Sequence, residues 1–157
     1  MPEKGVGIGG IDTLQNVAVR SPQSFIDVMV KPLEADFKKD EQYFVSPMFL
    51  KGTDQQLINW VKEDMSSAPK EIALSAFRNN LGQYVNGEDA IVFKDITVHV
   101  VSVNASLWPT PPEENRKNIK NYQLFYIEGT GHFPMLEKPE EFNILLKNAL
   151  SSIESKN

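Results

Sequence analysis

The residues best suited to chemistry stand in one short run, Gly129-Thr130-Gly131-His132-Phe133-Pro134. Imidazole is the side chain that exchanges a proton near neutral pH, and glycines on either side of it permit a tight turn and close approach of a substrate. The chain holds 2 His, His99 and His132. His99 lies in the apolar run Ile96–Val103 and reads as a satisfied core residue. With Cys absent, disulfides, zinc–thiolate sites and a thiol nucleophile are excluded. Two well-separated His and no Asp/Glu cluster at ligand spacing predict no metal site. Gly5-Val6-Gly7-Ile8-Gly9-Gly10 formally matches the dinucleotide-binding fingerprint. That motif needs a strand before it and a helix opening at its end; here Met-Pro-Glu-Lys precedes it and Ile11-Asp12-Thr13 follows without a helix start. The glycines therefore read as a tightly packed strand, and no cofactor is expected.

The elements that must carry the histidine loop follow from periodicity. The stretch 5–12 is small, apolar and ends in an acid, as a buried strand does. Ser21-Pro22 is a helix start, with Ser as cap and Pro at the first position. Phe25, Ile26, Met29, Val30 and Leu33 then recur at helical spacing, and Pro32 predicts a kink or split near Lys31. A second apolar stretch, Asp40 to Leu50, is interrupted by Pro47. Thr53 and Gln56 form a capping-box pattern ahead of Leu57, Ile58, Trp60, Val61 and Met65. Ser67-Ala68-Pro69 starts a further helix that is predicted to stop near Gly82. After this helical block the pattern changes. Ile96–Val103 predicts a strand buried on both faces of a parallel sheet, followed by a Pro-rich loop (104–112) and a short helix, 113–120. A last strand is predicted at 122–127, then the histidine loop and a final helix with Phe142, Leu145, Leu146 and Leu150 on its apolar face. Alternating strands and helices predict a right-handed parallel α/β arrangement.

Composition narrows the class. The 157 residues are 41% hydrophobic and 24% charged, with a net charge of −5, which suits a globular domain. The acidic balance, without a Lys/Arg-rich run, argues against nucleic acid as the main partner. No apolar stretch is long enough to span a membrane, and the first residues lack the basic-then-apolar pattern of a secretory signal. A cytoplasmic location is expected.

The segment Gly129-Thr130-Gly131-His132-Phe133-Pro134-Met135-Leu136-Glu137-Lys138-Pro139-Glu140-Glu141-Phe142 resembles the histidine loop and last helix of the α/β-hydrolase family. Strand 96–103 with Asn104-Ala105-Ser106-Leu107-Trp108-Pro109-Thr110 is similar to the family's penultimate strand and acid loop. The helical block resembles its cap, and Gly7-Ile8-Gly9-Gly10-Ile11-Asp12-Thr13 the strand before the cap. The resemblance covers nearly the whole chain and corresponds to the C-terminal half of the family's fold. It implies a partial α/β-hydrolase fold, with about three parallel strands (core residues 1–19 and 83–157) and a helical cap inserted at 20–82.

By the same resemblance, His132 is the general base of an esterase-like site for a small apolar substrate. Trp108, Phe133, Phe49 and Trp60 are the expected substrate contacts; Trp60, Phe49, Phe44 and Met48 also read as core or cap-to-sheet contacts, which in an intact relative would wall the pocket as well. Two departures stand out. The nucleophile elbow Gly-x-Ser-x-Gly occurs nowhere in the sequence; the family places it upstream of strand 5–11, so it is expected to lie outside this chain. A histidine without a nucleophile and an oxyanion hole cannot carry out acyl transfer. Ser106 stands at the usual acid position, and a neutral hydroxyl does not stabilise an imidazolium as a carboxylate does. Asp12 is the favoured alternative acid, ahead of Glu128 and Glu137, the last of which also reads as an acid at a helix N-terminus. The expected behaviour is a chain inactive alone. The leading reading is an esterase-related fragment; the alternatives are a non-catalytic binding or interaction module and a half-enzyme complemented by an N-terminal partner. The edge of strand 5–11 is left open, to be covered by that partner, by a second copy or by the cap, unless the strand stays frayed.

Overall fold

The computed structural model of the protein describes residues 21–88, 91, 93 and 95–154. The expected strand at 5–12, and Asp12 with it, lie outside these residues. The chain divides into two compact units. One comprises the described residues 21–47 and 58–88; the other comprises 48–57 and the described residues from 91 onward. The result is a mixed α/β protein, mostly helical, with a short parallel sheet. None of the described helices is long and apolar enough to cross a membrane.

The first unit is helical: α1 (Pro22–Ala35), α2 (Phe37–Val45), most of α3 (Gln55–Ser66) and α4 (Lys70–Asn86). Ser21 caps α1 as expected, its Oγ accepting from the Ser24 N–H at 3.3 Å. Pro32 does not split the helix, which continues to Ala35. Proline deprives the Val28 carbonyl of its helical partner, but Val28 and Pro32 both lie on the exposed side, where water can replace the missing donor. Asp36 then serves two helices. Its N–H donates to the Pro32 carbonyl at 3.5 Å, and its carboxylate accepts from the Lys39 N–H at 3.4 Å. Phe25, Val30 and Leu33 of α1, Phe37 of α2 and Leu74 and Leu81 of α4 form the buried core, with Ile26, Met29 and Phe77 packed against it. α4 passes through Gly82 and ends at Gly87, whose φ of +67° and N–H bonds to the Gln83 and Tyr84 carbonyls form a left-handed cap. The stop expected near Gly82 is thus displaced by more than a turn, because Leu81 and Val85 still have core to cover.

The second unit is built on β1 (Val100–Ala105) and β2 (Tyr122–Ile127). They pair in parallel with Val100 opposite Tyr122 and Ala105 opposite Ile127, and α5 (Pro112–Asn118) lies in the connection. β1 begins later than the apolar run and is half-buried along its length, not buried on both faces. It carries Ser102 and Asn104, and among the described residues β2 is its one paired neighbour. After β2 come the histidine loop, the single turn α6 (Pro134–Glu137) and α7 (Pro139–Glu154), which packs on both strands. The packed stripe of α7 runs through Phe142, Leu145, Ala149 and Ile153. Leu146 and Leu150, expected on that face, are exposed.

Candidate functional site

The site lies where β1 and β2 end. Open parallel sheets bind ligands beyond the carboxyl ends of their strands, because the loops there diverge and leave a crevice. A cleft of about 380 Å³ occupies this place. Val103, Ala105, Leu107, Trp108, Pro134 and Met135 supply apolar walls, and Asn104, Thr110 and His132 supply polar groups. The His132 ring contacts two aromatic rings. Trp108 is tilted against it with centroids 5.5 Å apart, and Phe133 meets it edge-on at 5.3 Å.

The loop that carries His132 is fixed residue by residue. Lys138 Nζ donates to the Glu128 carbonyl at 2.5 Å, and the Gly129 N–H donates to Ser106 Oγ at 3.1 Å. The Thr130 hydroxyl, fully buried, donates to the Ile127 carbonyl at 3.1 Å. Glu137 accepts from the Gly131 N–H at 3.0 Å through one oxygen and from the Phe133 N–H at 3.3 Å through the other. The N–H of His132 itself donates to the Met48 carbonyl at 2.7 Å. Phe49 stacks on Phe133 with centroids 5.2 Å apart, and the Thr53 hydroxyl donates to Glu137 at 3.1 Å. The segment 48–53 therefore straps the back of the loop. A turn bends this strap, with the Thr53 N–H on the Leu50 carbonyl at 3.2 Å and Gly52 at φ +100°. At Gly131 the strap comes so close that a Cβ would lie 2.3 Å from the Met48 oxygen and 2.9 Å from the Phe49 Cα. Glycine serves here for close approach of backbone to backbone.

The facing loop is held as well. Asn104 Nδ2 donates to Thr110 Oγ1 at 2.6 Å, and the Tyr126 hydroxyl donates to the Thr110 carbonyl. Trp108 projects from this loop and remains 43% exposed beside the cleft.

The expected site residues separate into distinct positions. His132 and Trp108 come together in the cleft. Phe133 and Phe49 pack behind it, against each other. Trp60 lies in the other unit, on α3, 56% exposed. Ser106 Oγ, expected at the acid position, accepts from the Gly129 N–H. Glu137 touches the backbone on both sides of His132. Among the described residues no carboxylate is hydrogen-bonded to the imidazole, and no group of three or more His, Asp or Glu could hold a metal ion. The Gln56 N–H, which the expected capping box would direct to Thr53, donates instead to the Asp54 carboxylate at 2.9 Å, so Asp54 caps α3, while the Thr53 hydroxyl donates to Glu137. The Met48 carbonyl and Thr53 were not among the expected site residues. A main-chain acceptor leaves no mark on residue type, and the Thr53 hydroxyl has a commoner use as a cap. Comparison with protein-family models, with curated proteins and with solved structures gave no match.

Proposed function

We propose that the sheet unit is the histidine half of an α/β-hydrolase-like site for small apolar esters, and that this chain alone binds such molecules without turning them over. The observation that supports it is the placement of His132: an imidazole beside an apolar cleft at the carboxyl ends of two parallel strands, on a loop whose every residue is anchored. In such a site the imidazole takes the proton of a nucleophilic hydroxyl as that oxygen bonds to the ester carbonyl, and returns it to the departing alcohol. The sequence offers no Gly-x-Ser-x-Gly to supply that hydroxyl. A binding role without catalysis draws support from Ser106: at the position where the resemblance calls for an acid, it offers a neutral hydroxyl, which does not stabilise an imidazolium as a carboxylate does.

Two measurements test this reading. A chromogenic short-chain ester should be hydrolysed no faster by the chain than by its His132→Ala variant. A non-hydrolysable ketone analogue of that ester should change Trp108 emission in a Trp60→Phe background. Turnover that His132→Ala abolishes would overturn the half-site reading, and unchanged emission at saturating analogue would overturn the apolar-ester reading.

A further inference from the structure

We propose that Glu137 is the positioning residue for His132 and that it acts through the loop backbone, not through the ring. The relevance to catalysis rests on the preceding reading, but the geometry stands apart from it. In a hydrolytic triad an acid bonds the imidazole directly and fixes its orientation. Here Glu137 accepts from the N–H groups of the two residues on either side of His132, Gly131 at 3.0 Å and Phe133 at 3.3 Å, with one oxygen for each. The amide between them is held by Met48 at 2.7 Å. Three consecutive N–H groups are thereby fixed, so the Cα–Cβ direction of His132 is set before any group touches the ring. The Trp108 and Phe133 rings then limit its rotation. Ionised carboxylates accept only, and can satisfy several donors at once; a carboxamide would turn an N–H toward one of the two amides. The Thr53 hydroxyl, 3.1 Å from Glu137, in turn orients the carboxylate.

The test reads ring position without substrate. Protonated imidazole in contact with indole quenches its emission, so Trp108 in a Trp60→Phe background reports His132 directly. As pH is raised across the interval in which the protein stays folded, emission should rise in one step, and His132→Ala should remove that step. Glu137→Ala should reduce the step at least twofold in protein that is folded by circular dichroism. Glu137→Gln should give an intermediate step, and decides the matter if the alanine variant does not fold. A residue that merely stabilises the unit would lower the unfolding midpoint and leave the step intact in the molecules still folded. A full step in folded Glu137→Ala, or in Glu137→Gln, overturns the proposal. Failure of the ester-analogue experiment leaves it standing, because no ligand enters this titration.

Discussion

The positions around His132 show how a residue's type answers to its neighbours. Gly131 is required for space: its φ is not left-handed, but a methyl group would press into the Met48 carbonyl at 2.3 Å. Backbone atoms cannot swing aside as a side-chain end can, and overpacking of this kind costs about 1–3 kcal/mol. Gly131→Ala is therefore expected to lower the urea midpoint of the sheet unit and to release the loop, broadening the His132 resonances. A midpoint equal to that of the parent would mean that the strap does not lie where it is described. Glu41, on α2, makes a different demand. Partial burial raises its carboxyl above the ordinary value, since desolvation disfavours the charged form. A raised folded-state value means that the folded chain binds the proton better than the unfolded one. The contribution to stability is thus present below the ordinary carboxylate range and is lost as pH rises through the raised value. Glu41→Gln should accordingly be as stable as the parent or more so at neutral pH, with the difference shrinking as pH falls. A difference that instead grows toward acid, measured by denaturant unfolding across pH, would contradict the sign.

Helix ends show where local pattern was enough and where it was not. Ser21-Pro22 announced α1, and the structure has the serine hydroxyl on the Ser24 N–H, because a cap is made by residues that are neighbours in sequence. The last strand, 122–127, was equally plain from its run of apolar and aromatic residues. Gly82 misled because a glycine ends a helix only if the backbone turns left-handed there. That choice belongs to the core: Leu81 is buried and Val85 packs beside it, so α4 continues to Gly87. The two glycines should respond to the same substitution with opposite sign. Neither has an atom within 4 Å of a built Cβ, so packing does not enter. Gly82→Ala reduces the freedom of the unfolded chain at a helical position and should stabilise by about 0.5–1 kcal/mol. Gly87→Ala forces a side chain onto φ +67° and should destabilise by about 1 kcal/mol. Urea midpoints of the two variants provide the check, and a shift in the same direction for both would place the end of α4 elsewhere. Thr53 shows the converse limit. Its spacing to Gln56 suited a capping box, yet its hydroxyl serves Glu137, 84 residues away, a partner that no local window contains.

At the level of the whole chain, the parallel strand–helix–strand unit and the cleft histidine were legible because each rests on a short contiguous pattern. The division into units was less so: residues 48–57 lie within the block read as cap but pack with the sheet, through the Met48 carbonyl and the Phe49 ring. The apolar run before β1 predicted burial on both faces, whereas β1 is half-buried and Val98 just ahead of it is 68% exposed. On α7, Ile144 and Leu150 are 62% and 55% exposed. Apolar surface left in water favours association, since covering it removes the cost of its hydration. We propose on this basis that the chain self-associates through its sheet unit. Association that involves only the folded form stabilises it by mass action, so the thermal midpoint should rise with protein concentration. Leu150→Lys should weaken that dependence with little loss of monomer stability, because the side chain it replaces is already in water. Sedimentation equilibrium alongside the melting series separates the outcomes. A monomer at every concentration, with a midpoint that does not move, would show that this apolar surface is tolerated as it stands. A dimer unaffected by Leu150→Lys would show that the contact does not depend on Leu150.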